Sequence, residues 1–313
     1  MAVFGSIWDD IKYSFRMGNM VTRLAILNFG IFVAVNLVKL TLWLSNGGHG
    51  IPEYFDQGLH FFCMPAQWLT ALTHPWGFFS SMFLHEDFWH VVNNLIFLYL
   101  FGNIVGDLIG DRRVLPIYLL GGLVGNLLFL LSDFVIHYPV PYALGASGAV
   151  MALAGAALIL APDYRVMLLL LGEVKLKYIV LVMVLLDMVG IAHNSNTGGH
   201  IAHMGGFAMG IFFVYQLRDG KDLSLTVNHW LDRVKSWFSA GKKPSAGTQR
   251  RRAQPAMKAT IGGARSGAGS GASDTNDMSF QEKLDAILDK IKQQGYENLT
   301  QEEKDFLFQA SKK

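Results

Sequence analysis

The sequence predicts an all-α polytopic membrane protein: a bundle of six transmembrane helices with a small cytoplasmic helical hairpin beyond it. Two observations carry that prediction, the number of long apolar runs and the one-sided placement of positive charge. Of the 313 residues, 51% are hydrophobic and only 16% charged, with a mean hydropathy of +0.31. Apolar runs at 24–44, 88–109, 114–131, 146–161, 177–190 and 200–217 each come close to the ~17–25 residues that cross a bilayer. Lys12, Arg16, Arg23, Arg112, Arg113, Arg165, Lys175, Lys177, Arg218 and Lys221 all fall on one side of a six-span path. The opposite loops, 46–83, 132–144 and 191–199, hold no Lys or Arg. The positive-inside rule then places both termini in the cytoplasm. Lys39, near the outer end of the first span, is expected to snorkel to the interface. The first residues, with Asp9, Asp10, Lys12 and Arg16, are too polar for a signal-peptide core, and the single Cys63 precludes an intrachain disulfide.

Around this membrane domain, taken as 23–217, the composition changes in steps. Residues 1–22 carry Phe4, Ile7, Trp8, Ile11 and Phe15 at helical spacing, the pattern of an amphipathic cytoplasmic segment. Residues 218–240 repeat it, with Trp230, Leu231, Val234, Trp237 and Phe238 on one face and Arg233 and Lys235 opposite, an interfacial helix. From 241 to 277 Gly, Ser, Ala, Lys and Arg dominate, the composition of a flexible linker. Within 278–313, Ser279 with Glu282 and Thr300 with Glu303 form two capping boxes. They open one helix with Leu284, Ile287, Leu288 and Ile291 on a face and a second carrying Phe306 and Leu307, with Gly295 between. A hairpin this small has little core of its own, so it is expected to dock on a protein partner.

Three segments put polar groups where a bilayer penalises them. His85, His90 and Asn94 accompany the second span, the last two on one helix face. Ser147 opens the fourth span within Gly145-Ala146-Ser147-Gly148, and His200 and His203 open the sixth, ahead of Gly206 and Gly210. The path of the chain sets Ser147 and His203 at matching depth, just below the outer surface. As a helix, 145–161 rises about 25 Å against a hydrocarbon core of ~30 Å, so its start lies below the outer face. The preceding loop, with Tyr138, Pro139, Pro141 and Tyr142, must dip toward it around a water-filled pocket.

A histidine in hydrogen-bond reach can take the proton of a serine as it attacks a carbonyl, then return it to the leaving amine. Ser147 is the candidate nucleophile and His203 the candidate base. The oxyanion of the tetrahedral intermediate would be met by the Ser147 N–H, the Asn94 amide and the His90 imidazole. No Asp or Glu stands out to orient His203, so a dyad is expected. Gly145, Gly148, Gly206 and Gly210 are expected to pack the fourth and sixth helices closely. His85, His90, His193, His200 and His203 also raise a metal site, yet without Cys or carboxylate partners. No cofactor, metal or nucleic acid is expected.

Together, HEDFWHVVNN around His90 and Asn94, LIFLYLFGNIVGDLIGDRR after it, GASGAVMALAGAAL around Ser147 and AHMGGFAMG around His203 resemble the rhomboid family of intramembrane serine proteases. The resemblance covers about Trp76 to Gly210. It implies a six-helix fold with Ser147 and His203 as the dyad, His90 and Asn94 assisting at the oxyanion, and no metal or nucleotide. It further implies endopeptidase cleavage of transmembrane protein substrates near the outer face, in the lipid of a bacterial inner (plasma) membrane. Two positions depart from the family. Met151 stands where many relatives place an aromatic ring, and the first outer loop lacks their Trp-Arg pair. The C-terminal LDKIKQQGYENLTQEEKDFL is similar to a short module appended to some bacterial rhomboids. A catalytically silent relative that binds membrane proteins, or a metal-dependent membrane hydrolase built on the histidines, are the alternatives.

Overall fold

The computed structural model describes residues 2–137, 141–168, 172–193, 196–239, 287, 290 and 299–310. The chain forms two compact units, Met1–Pro244 and Ser245–Lys313.

The first unit opens with α1 (Ala2–Met17) and α2 (Met20–Ser45). Asn19 divides them, because its side chain accepts the Thr22 N–H at 2.9 Å and caps α2. The stretch between the first two spans is not an open loop: it folds as α3 (Glu53–His60), β1 (Met64–Pro65), α4 (Trp68–Thr73), α5 (Gly77–Ser80) and a 3₁₀ turn, Ser81–Phe83. Asp87 then caps α6 (Phe88–Ile109) through the His90 N–H at 2.9 Å. Gly110, at φ +96°, ends it in a conformation that a side chain would strain. There follow α7 (Val114–Ile136), β2 (Tyr142–Ala143), α8 (Ser147–Leu160), β3 (Arg165–Leu168), β4 (Gly172–Lys175), α9 (Leu176–Ala192), α10 (Thr197–Arg218) and α11 (Leu223–Ser239).

Helices α2, α6, α7, α8, α9 and α10 coincide with the six apolar runs. Three helical segments, Met20–Ser45, Phe88–Ile109 and Asp111–Ile136, are long and apolar enough to cross a membrane by length and composition, and Ser147–Leu160 is a shorter apolar helix. Helix α7 outruns its expected end at 131 because Ser132 returns its hydroxyl proton to the Phe129 carbonyl at 2.8 Å, so a polar residue there need not break the helix. Two short antiparallel ladders, β1 with β2 and β3 with β4, are additions to an otherwise helical fold.

The architecture turns on α8. Every residue from Gly148 to Ala157 is buried, and the helix packs on α6, α7 and α10. Its Gly and Ala side chains allow backbone to meet backbone. A Cβ on Gly206 of α10 would stand on the Gly148 carbonyl oxygen, and one on Gly210 on that of Ala152. In a membrane, where burial of apolar surface does not drive helices together, such close packing is what holds them. Helix α9 is the contrast: it packs chiefly on α10, with Tyr178, Leu181, Leu185, Leu186 and Val189 exposed.

Helix α11 is tied to the start of α7. Arg113 donates to Asp222 Oδ2 from Nε at 2.9 Å and from Nη2 at 2.7 Å, and Trp230 stacks on Phe79 with ring centroids 6.2 Å apart. Burial alone would raise the Asp222 pKa, but the hydrogen bonds from Arg113 and Ser224 outweigh it and hold the carboxyl below its ordinary value. The folded group therefore titrates below the unfolded one. Its stabilisation is complete above the ordinary carboxylate pKa of ~4 and is lost as pH falls through the lower folded value. Arg113→Ala is expected to lower the thermal midpoint in detergent at neutral pH by about 2–4 °C, the size of a partly exposed ion pair. The deficit relative to the parent should shrink once Asp222 is protonated, leaving the part owed to the Arg113 hydrogen bond to the Ile109 carbonyl. A deficit of equal size at both pH values would contradict the ion-pair account.

In the second unit the described residues include α12 (Gln301–Ala310). Its expected capping box is formed: Thr300 N–H donates to Glu303 Oε2 at 2.8 Å, and Glu303 N–H to Thr300 Oγ1 at 3.4 Å. Lys290 Nζ reaches both Glu303 oxygens at 2.8 and 2.9 Å. Ile287, expected on an open apolar face, is buried, as is Leu299. The Ser279–Glu282 box, Leu284, Leu288, Ile291, Gly295 and the 241–277 stretch lie outside the described residues.

Candidate functional site

Ser147 is the first residue of α8, and the loop before it is bound on both sides by backbone. Ala66 N–H donates to the Pro141 carbonyl at 2.8 Å, Met64 and Pro65 pair with Ala143 and Tyr142, and Gly145 N–H donates to the Ser81 carbonyl at 2.9 Å. Irregular backbone within a membrane protein needs this internal satisfaction. Tyr138 and Pro139 lie outside the described residues.

Gly145, expected as a helix-packing glycine, precedes α8 and serves differently. Its φ is +133°, which disfavours any side chain, and a Cβ there would stand 2.8 Å from His90 Nε2 and 3.4 Å from Ser147 Oγ. The missing side chain leaves the space between histidine and serine open. Sequence spacing alone could not separate these two uses of a glycine.

His90 stands in the first turn of α6. Glu86 N–H points at its Nδ1 across 3.5 Å, a long contact that favours the tautomer carrying its proton on Nε2, the nitrogen facing Gly145. Asn94, 6% exposed, donates to the His90 carbonyl at 2.9 Å, which uses one of its two amide hydrogens. His85 lies edge-on to His90 with ring centroids 5.1 Å apart. It is buried, and both its ring nitrogens are without a partner among the described residues.

A small cavity of about 30 Å³ opens onto Ser147, with Gly122, Asn126, Gly145, Gly199 and Ala202 in its walls. That exceeds the ~10–15 Å³ that one water requires. Asn126 Nδ2 donates to the Phe78 carbonyl and to Ser81 Oγ, both at 2.9 Å, so polar side chains from α7 and the Ser81–Phe83 turn border the serine.

His203 lies on α10, and facing backbone brings it to the same layer. Gly148, next to Ser147, packs with its Cβ position 3.4 Å from the carbonyl oxygen of Ala202, next to His203. Among the described residues no hydrogen bond joins Ser147 to His203; catalytic contacts commonly tighten only around substrate. The expectation that no acidic residue orients His203 is overturned. Asp187 of α9, 6% exposed, accepts from His203 Nδ1 at 2.8 Å and, on the same Oδ1, from His200 Nδ1 at 2.6 Å. Asp187 is an acidic residue inside the apolar run at 177–190. The signal was present, since an ionisable residue inside a membrane helix marks a site by default.

The ligand-type atoms of Asp187, His200 and His203 lie within 4.8 Å of one another, close enough to hold a cation, and His85, His90 and His193 fall outside that group. The five-histidine metal site considered from sequence is therefore not assembled among the described residues. Met151 is buried, 3% exposed, one turn beyond Ser147.

The fold and site define a polytopic helical membrane protein in which serine, histidine, asparagine and aspartate side chains gather at one end of a glycine-packed bundle. The chain carries a rhomboid domain, matched at residues 72–219. It is 27% identical over 217 residues to RHOMBOID-like protein 12, mitochondrial, of Arabidopsis thaliana, covering 65% of this chain and 60% of that one. It is 30% identical over 178 residues to rhomboid protease GluP of Bacillus subtilis, covering 56% of this chain and 33% of that one. With rhomboid protein 1, mitochondrial, of Saccharomyces cerevisiae the figures are 27% over 139 residues, 43% and 39%. The chain thus spans between a third and three fifths of these relatives. Residues 278–313 match a separate family of unknown function, DUF6576.

Proposed function

We propose that this protein is an intramembrane serine endopeptidase that cleaves transmembrane protein substrates near the outer face of a bacterial inner membrane, both termini being cytoplasmic. The observation that carries the reading is that Ser147 Oγ and His90 Nε2 both border the space a Gly145 side chain would fill, 3.4 and 2.8 Å from its Cβ position, with the His203 turn of α10 packed on the same end of α8. Kinship with a rhomboid protease supports it.

In this reading Ser147 Oγ attacks the scissile carbonyl carbon while its proton passes to His203 Nε2. The carbonyl oxygen becomes an oxyanion, met by the Ser147 N–H at the α8 N-terminus, by His90 Nε2–H and by the remaining amide hydrogen of Asn94. The C–N bond then breaks and His203 returns the proton to the leaving amine. Water, deprotonated by His203, hydrolyses the acyl-enzyme and restores Ser147. The hairpin at 278–313 is assigned to a protein partner rather than to chemistry.

A fluorophosphonate probe tests whether the serine is activated. It should label Ser147 in the folded protein, and heat denaturation or His203→Ala should remove the label. A folded protein that stays unlabelled would favour a silent membrane-protein-binding relative. Loss of labelling on rigorous chelation would favour a metal-dependent hydrolase.

A further inference from the structure

We infer that Asp187 is a positioning residue for His203, which makes the site a serine–histidine pair backed by a carboxylate and carried on three helices. The inference rests on the peptidase reading above and goes beyond the dyad. Its ground is geometric: one buried carboxylate oxygen lies 2.8 Å from His203 Nδ1, and among the described residues no hydrogen bond joins Asp187 to Ser147.

A neutral imidazole carries its proton on one nitrogen only. Asp187 binds that proton at Nδ1, so Nε2 is left with its lone pair, the form that a general base requires. When His203 takes the serine proton the ring becomes an imidazolium, and the carboxylate on its far side compensates the charge where water is scarce. A buried carboxylate persists only when donors meet it, and His200 supplies a second at 2.6 Å. His200 also lies against α9, since a Cβ on Gly190 would collide with its ring. The two histidines therefore hold Asp187 from one helix while α9 makes few other close contacts. The backbone of His203 is fixed as well, because the Ala202 carbonyl is packed against Gly125 and Gly148.

The competing explanation is that Asp187 only ties α9 to α10. Asp187→Asn separates the two, because an asparagine oxygen can still accept from both histidines while the charge is lost. Full-length parent, Asp187→Asn, Asp187→Ala, Asp187→Glu and Ser147→Ala would be compared on a reporter transmembrane segment in liposomes, with thermal midpoints measured alongside. Asp187→Asn is expected to lower kcat by about 10²-fold or more and to leave KM within about twofold and the midpoint unchanged. Asp187→Glu should recover most of the rate. A folded Asp187→Asn variant that turns over within about threefold of the parent would overturn the inference, as would losses that follow the thermal midpoint in all three variants. Equal cleavage by parent and Ser147→Ala would instead sink the peptidase reading itself.

Discussion

Gly206→Leu is expected to leave little folded bundle. A Cβ at this position falls on the Gly148 carbonyl oxygen, which is backbone and cannot turn aside, so α10 must move away from α8. Moving it breaks the contacts of a helix whose residues 148–157 are all buried. Inserting even single methylenes into a packed core costs about 1–3 kcal/mol, and a displaced helix costs more, against a total stability of about 5–15 kcal/mol. Helix propensity works in the opposite direction, favouring a non-glycine residue by up to ~1 kcal/mol. The sign of the effect therefore decides which term rules. Gly58→Ala in α3, where nothing lies within 4 Å of the added carbon, is the control and should fold like the parent. Size exclusion and thermal unfolding in detergent are the measurements; a Gly206→Leu protein as monodisperse and stable as Gly58→Ala would contradict the packing account. Gly210→Leu is expected to behave like Gly206→Leu, since it meets the Ala152 carbonyl in the same way.

Much of the bundle was legible in the sequence because hydropathy reports the bilayer, which acts on every residue of a span at once. The convergence of Ser147 with the start of α10 was legible for a related reason, as counting crossings fixes depth. What escaped was set by single contacts. Asp187 stands among apolar residues of the 177–190 run, and nothing in spacing says that His200 and His203, 13 and 16 residues on, turn back to it. Gly145 looked like its neighbour Gly148, although one is a turn at positive φ and the other a helix contact. The ladder of Met64–Pro65 with Tyr142–Ala143 is two residues long, too short to leave an alternating pattern. Capping, by contrast, is local, and the Thr300–Glu303 box could be read directly.

The largest catalytic effect is expected from the serine itself. On the proposed mechanism the acyl-enzyme needs Oγ at residue 147 and the proton transfer needs the imidazole at residue 203; either loss is expected to lower turnover by about 10³-fold or more. The two losses should not add, because the groups act in one step. Neither substitution removes a helix contact of the kind made by Gly206, so both variants should fold. The direct measurement is cleavage of a reporter transmembrane segment in liposomes by purified full-length parent, Ser147→Ala, His203→Ala and the double variant, with fragments identified by mass. The account predicts one cut by the parent and none above background by the three variants. A Ser147→Ala protein that makes the same cut at the parent's rate would contradict it.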